Sequence, residues 1–103
     1  MKKIMLVCAL GMSTSLLVKR MEEAAEKEGI KVEIFAKAEE AAKRILNQGE
    51  VNAVLLGPQV SYSLNDFEKI ASKHNIPVQV ISTGDYGMMD GSKVLHNALE
   101  IIG

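Results

Sequence analysis

Apolar and polar positions along this chain fall into blocks whose period switches between strand-like and helix-like. Ile4-Met5-Leu6-Val7 is a short apolar run ending at Cys8 and reads as a first strand. From near Leu16, the residues Leu17, Met21, Ala24 and Ala25 recur at helical spacing, while Lys19, Arg20, Glu22, Glu23, Glu26 and Lys27 fill the other face. That spacing predicts a helix of about four turns. Ser13 or Thr14 is placed to cap its start and Gly29 to end it. Lys31 to Ala36 alternates, with Val32 and Ile34 on one side, as in a half-exposed outer strand. An alanine-rich helix follows over Ala38 to Leu46, closed by Asn47-Gln48-Gly49.

The second half repeats the scheme. Val51 to Leu56 is almost continuously apolar and stops at Gly57-Pro58, the pattern of a strand buried on both faces. Tyr62 to Asn75 has helical spacing at Leu64, Phe67, Ile70 and Ala71, and Pro77 opens a short strand through Val78, Val80 and Ile81. Ser82 to Asp90 reads as a loop by composition, and Gly91 to Ile102 as a last helix burying Val94, Leu95, Ala98 and Ile101. Strands alternating with crossover helices predict an α/β fold with a four-stranded parallel sheet in the order 2-1-3-4, right-handed crossovers and helices on both faces. Ligands of such sheets sit beyond the carboxyl ends of the strands where the order reverses. Here that point lies between the first and third strands, so Cys8 is expected to face Gly57-Pro58-Gln59, with the segment Ser82 to Met89 on the same rim.

Composition narrows the picture. With 103 residues, 48% of them apolar, and no repeat or linker, the chain is expected to form one domain over residues 1–103. A net charge of -1 leaves no electrostatic footprint for nucleic acid or an anionic membrane, so partners are expected to be proteins or small anions. A single cysteine excludes an internal disulfide and a four-cysteine zinc site, and it suits a reducing cytoplasm. Met1-Lys2-Lys3 before an apolar run has the look of a signal peptide, but the run is short and a charged helix pattern follows. No stretch approaches the roughly 18 to 20 apolar residues of a membrane span.

The chemistry gathers at Cys8-Ala9-Leu10-Gly11-Met12-Ser13-Thr14-Ser15. A lone cysteine at a strand end is often a small core hydrophobe. The residues after it argue for more: none is proline, so each carries a backbone N–H, and Ser13, Thr14 and Ser15 add hydroxyls at a helix start. Capping uses one hydroxyl, not three. Amides, hydroxyls and the positive end of a helix dipole form a cup for an anion, in which a thiolate or a phosphothiol is stabilised. Strand, cysteine, loop and helix also occur in this arrangement in small cysteine phosphatases, to whose fold the predicted one is similar. Those enzymes place an arginine clamp six positions after the cysteine, where this chain has Thr14. Without a guanidinium the loop is better equipped to hold a phosphoryl group than to attack arbitrary esters.

The run C-A-L-G-M-S-T-S-L-L, the later segment V-N-A-V-L-L-G-P-Q-V (Val51 to Val60) and the motif Y-G-x-x-D-G (Tyr86 to Gly91) resemble the IIB components of the bacterial phosphoenolpyruvate-dependent sugar phosphotransferase system, in the lactose/cellobiose (chitobiose) branch. The likeness covers the whole chain, and Gly11 to Ser15 looks more like the cellobiose and chitobiose type than the lactose type. The resemblance implies that Cys8 accepts a phosphoryl group from a phosphohistidine on a IIA protein and passes it to a disaccharide held by a membrane IIC protein, with Ala9 to Ser15 as the phosphate-binding loop. It implies a cytoplasmic protein that meets the membrane through IIC and needs no cofactor.

Several other residues have competing readings. Asp85, beside Tyr86, matches the aspartate that protonates leaving groups in small tyrosine phosphatases, but Thr83-Gly84-Asp85 also reads as an ordinary turn. Asp90 is placed to cap the last helix. Gln59 and Tyr86 read either as neighbours of the phosphate or as ordinary rim residues. Met12, Met88 and Met89 suggest an apolar collar for a docking protein. His74, at a helix end beside Lys73, and His96, in mid-helix, show no catalytic or metal-ligand spacing. A cysteine phosphatase and a non-catalytic anion-binding module are the alternatives to a phosphocarrier.

Overall fold

The computed structural model describes residues 1–9 and 12–103, with side chains for all of them except Met12 and Ser13. Four strands, β1 (Lys2–Cys8), β2 (Val32–Ala38), β3 (Ala53–Leu56) and β4 (Val78–Val80), form one parallel sheet in the order β2-β1-β3-β4. The predicted order is therefore the observed one. The connecting helices are α1 (Met12–Glu28), α2 (Glu39–Asn47), α3 (Leu64–Ser72), α4 (Thr83–Gly87) and α5 (Gly91–Ile102).

The sheet is hydrophobic on both sides, because β1 and β3 are inner strands and each residue must face one helical layer or the other. Ile4, Leu6 and Leu55 pack with Leu17 and Met21 of α1 and with Val94, Leu95 and Ala98 of α5. Met5, Val7, Val54 and Leu56 pack with Ala42 and Leu46 of α2 and Phe67 and Ala71 of α3. The register explains the division: Met5 pairs with Val54, Leu6 with Leu55 and Val7 with Leu56, so the strands present matching faces.

Several boundaries differ from those the pattern predicts, four of them with a bearing on the site. Helix α1 begins at Met12, ahead of Leu16, because a first turn needs helical backbone but no apolar stripe. Ser13 and Thr14 thus lie inside the helix. The edge strand β2 runs on to Ala38, kept in register by β1 as far as Cys8↔Ala38. The stretch from Tyr62 is broken in two: Pro58–Ser63 is a 3₁₀ segment with non-helical Val60, and α3 begins only at Leu64. The predicted loop after β4 contains the short helix α4, capped by Ser82 Oγ, which accepts from the Asp85 N–H at 3.1 Å. Its signature, Ser82 with an acidic residue three positions on, was disguised by two glycines in so short an element. Asp90 caps α5 as expected, accepting from the Lys93 N–H at 3.2 Å.

Gly91 sets how closely α5 approaches α1. A Cβ there would lie 2.4 Å from the Arg20 carbonyl carbon and 2.6 Å from the Met21 nitrogen, and backbone cannot swing aside as a side chain can. Gly91→Ala is expected to cost about 2–3 kcal/mol, as overpacked sites do, read as a lower urea midpoint. Gly84→Ala, where no atom lies within 4 Å of the added Cβ, is expected to leave the midpoint almost unmoved.

Candidate functional site

Cys8 ends β1, is 5% exposed, and sits 3.9 Å from the Lys37 carbonyl oxygen, toward which its thiol can donate. The alternation that sends Ile4 and Leu6 to the α1/α5 side assigns Cys8 to that same face. On one flank β2 closes at Ala38, paired with Cys8. On the other, the Gly57 N–H donates to the Val7 carbonyl at 2.9 Å and brings the turn Gly57-Pro58-Gln59 to the end of β1. A Cβ on Gly57 would lie 3.0 Å from Gln59 Oε1, 3.4 Å from the Val7 oxygen and 3.7 Å from the Tyr86 ring. Gln59 and Tyr86 therefore both lie beside this turn.

Of the loop Ala9 to Ser15, Ala9 is exposed, while Leu10 and Gly11 lie outside the described residues, as do the side chains of Met12 and Ser13. Ser15 is exposed in the first turn of α1. Thr14 behaves differently from a cap. It is 1% exposed, and its Oγ1 lies 3.2 Å from the Tyr86 hydroxyl, tying the start of α1 to α4. Either hydroxyl can donate, which leaves the other oxygen's lone pairs and rotor adjustable toward an anion.

Asp85 faces elsewhere. Its carboxylate is mostly covered and lies 3.4 Å from Lys93 Nζ on α5, lining a cavity of about 200 Å³ with Gln79, Ile81 and Val94. A larger open groove of about 750 Å³ runs between α1 and the α4–α5 junction, lined by Arg20, Glu23, Lys27, Met88 and Met89. Met88 is 75% exposed there, and the Arg20 guanidinium donates to the Met89 carbonyl at 3.4 Å. Cys8 lines neither cavity.

The histidines are structural. The carbonyl of Asn47, which ends α2, can only accept, so His74 donates to it from Nε2 at 3.0 Å. His96 Nε2 meets the Glu28 carboxylate at 2.8 Å and links α5 to α1. Among the described residues no group of three or more His, Cys, Asp or Glu could hold a metal ion, and no helix is long and apolar enough to cross a membrane.

One cluster on the rim was not singled out by the sequence. Glu39, the first residue of α2, accepts from the Tyr62 hydroxyl and from Ser63 Oγ, each at 2.6 Å. These two bonds, Ser63's first, hold the Glu39 carboxyl below its ordinary value. The same contact raises the Tyr62 phenol above its own. No spacing in the sequence links position 39 to 62 and 63; only the strand order brings them together.

These features define a class: a doubly wound parallel α/β protein whose one cysteine closes an inner strand at the switch point, ahead of a long helix. Within that class the chain belongs to the family of PTS system, lactose/cellobiose-specific IIB subunits, whose model matches residues 3–97. It is similar to an oligo-beta-mannoside-specific EIIB component of Bacillus subtilis (strain 168), 44% identical over 102 residues, which cover 99% of this chain and 97% of that protein. A cellobiose-specific EIIB component of Lactococcus lactis subsp. lactis (strain IL1403) is 44% identical over 91% of this chain and 90% of its own length. Among solved structures, a cellobiose-specific phosphotransferase IIB component of Borrelia burgdorferi is 39% identical with a TM-score of 0.78, covering 96% of this chain and 89% of that one. The lactose-specific IIB domain of Streptococcus pneumoniae shares the fold at a TM-score of 0.85 with 23% identity, covering 96% of this chain and 95% of that one.

Two outcomes follow from the bonds described. Tyr86→Phe strands the buried Thr14 hydroxyl and is expected to cost about 1–2 kcal/mol in chemical denaturation. A double-mutant cycle with Thr14→Val should return a coupling of about 1 kcal/mol. Because Glu39 titrates lower in the folded chain than in the unfolded one, its contribution is present above pH 4.5 and fades as pH falls through the lowered value. The gap in urea midpoint between wild type and Glu39→Gln should shrink correspondingly on acidification.

Proposed function

We propose that Cys8 is the phosphate-carrying nucleophile of a sugar phosphotransferase system. The observation that carries this reading is the position of the sulfur: it ends an inner strand at the switch point, just ahead of the N-terminus of α1, in a chain of the IIB family. The Cys8 thiolate attacks the phosphorus of a phosphohistidine on a IIA protein; the S–P bond forms, the N–P bond breaks, and its electron pair stays on the imidazole nitrogen. In the second step a hydroxyl oxygen of a disaccharide, bound by the membrane IIC protein, attacks the same phosphorus. The S–P bond breaks, the thiolate returns, and the hydroxyl proton passes to solvent or a base.

The division of labour follows from the leaving groups. Phosphohistidine is an activated donor, so alignment and a thiolate suffice. Backbone amides of Ala9 to Ser15 and the dipole of α1 are positioned in sequence to stabilise the phosphate while it is held. Leu16, Tyr62 and Met88 are exposed apolar side chains on elements that leave the carboxyl end of the sheet and suit a docking surface for IIA and IIC. The relatives named above carry different sugars in their names, and cellobiose, chitobiose and related β-linked disaccharides are the substrate class we assign. The protein works in the cytoplasm, at the membrane face where IIC lies.

A phosphatase finds less support. Thr14 stands where the arginine clamp would be and is engaged with Tyr86, and the Asp85 carboxylate pairs with Lys93. Incubation with phosphoenolpyruvate, the general phosphotransferase proteins and IIA should add one phosphate by intact mass, and Cys8→Ser should remove it. Turnover of p-nitrophenyl phosphate that is lost in Asp85→Ala would instead establish the phosphatase.

A further inference from the structure

Strand β2 is one edge of the sheet, and with seven residues it is much the longer edge, since β4 at the other has three. On its outer side such a strand carries a row of N–H and C=O groups with no ladder partner. Its side chains divide by alternation. Glu33, Phe35 and Lys37 share one face, where Phe35 packs against the core under α2 and α3. Val32, Ile34 and Ala36 pack on the α1 and α5 side, the face to which alternation also assigns Ala38. Glu33 and Lys37 are exposed, Phe35 is half-buried, and neither charge has an ion-pair partner among the described residues.

Charges on an edge strand ordinarily discourage pairing with another chain. Here their placement is self-complementary, because Glu33 and Lys37 lie two residues to either side of Phe35. A second copy related by a twofold axis normal to the sheet meets this edge antiparallel, with each residue opposite one on the same face. If the axis passes beside Phe35, Glu33 lies opposite the partner's Lys37, and Lys37 opposite the partner's Glu33. On the other face Val32 meets the partner's Ala38 and Ile34 the partner's Ala36, so every apolar pair has one small member. Opposite charges set directly across two strands attract, and like charges repel. The neighbouring registers are penalised on that ground: centred on Ile34, Lys37 falls opposite the partner's Lys31, and centred on Ala36, Glu33 falls opposite the partner's Glu39.

We propose that β2 is a dimerisation edge whose partner is a second copy of this chain, paired antiparallel about Phe35 and held in register by the two symmetry-related Glu33–Lys37 pairs. The two four-stranded sheets then join into one. Antiparallel pairing turns their carboxyl ends in opposite directions, which puts one Cys8 at each end of the joined sheet and leaves both rims open. The dimer is therefore independent of the phosphocarrier reading. A contact made by one edge strand and the few side chains on it is small, and small contacts belong to weak, concentration-dependent association.

The test is analytical ultracentrifugation of the full chain at low salt over rising concentration, with folding checked by circular dichroism. The weight-average mass should climb from one chain toward two as the concentration approaches about 1 mM, and added salt should reduce the climb. Glu33→Lys alone and Lys37→Glu alone each set like charges opposite one another and should stay monomeric. An equimolar mixture of those two variants restores opposite charges at both pairs and should dimerise, as should the double variant Glu33→Lys with Lys37→Glu. Wild type that remains monomeric at about 1 mM would overturn the proposal. So would a dimer that forms equally well in either single variant, which would place the contact on another surface.

Discussion

Burial of β1 on both faces is the constraint on which the rest of the structure depends. Ile4, Met5, Leu6 and Val7 are all fully buried, alternately against α1 and α5 and against α2 and α3. A strand with no solvent face must be flanked by other strands, because its backbone amides and carbonyls have no water to bond. Its neighbours β2 and β3 supply those partners in parallel register. Parallel pairing then requires crossovers, which place α1 on one face and α2 and α3 on the other, and α5, after the last strand, completes the first face. The covered strand emerges at only one useful place. That place is Cys8, and the site is therefore where the sheet's strongest packing ends.

The rim around Cys8 is held by hydroxyls rather than by cations. Thr14 is bonded to Tyr86, and Glu39 to Tyr62 and Ser63. Two lysines are paired at its periphery: Lys93 with Asp85, and Lys43 with Asp66. On the carrier reading such a rim suits a group that is received and passed on. A guanidinium at Thr14's position that stabilised the bound phosphate and the transition state alike would leave the barrier to departure unchanged.

Much of this was legible from the order of residues. The alternation of continuous apolar runs with helical spacing carried the four strands, their order and four of the helices, because burial on two faces and burial on one leave different periods. That topology also sets Cys8, Gln59 and Tyr86 on one rim. Helix α4 was not, since five residues with two glycines carry no period. The 3₁₀ segment was likewise absorbed into the helix after it, because Tyr62 and Leu64 fit a helical spacing that Val60 and Ser63 do not obey as backbone.

By itself the sequence determined which segments are strands, the class of fold, the position of its one cysteine and the family to which the run from Cys8 to Leu17 points. These are local facts, set by side-chain type and spacing along a few residues. The tertiary structure alone decided what each rim side chain does. Thr14 turns to Tyr86 instead of capping its helix, Asp85 turns to Lys93, and Glu39 reaches Ser63 at the start of the neighbouring helix. Those choices join residues 72, 8 and 24 positions apart, and the pairing partners of a hydroxyl or a carboxylate at such separations are fixed by the packing of the elements that carry them. No periodicity records them.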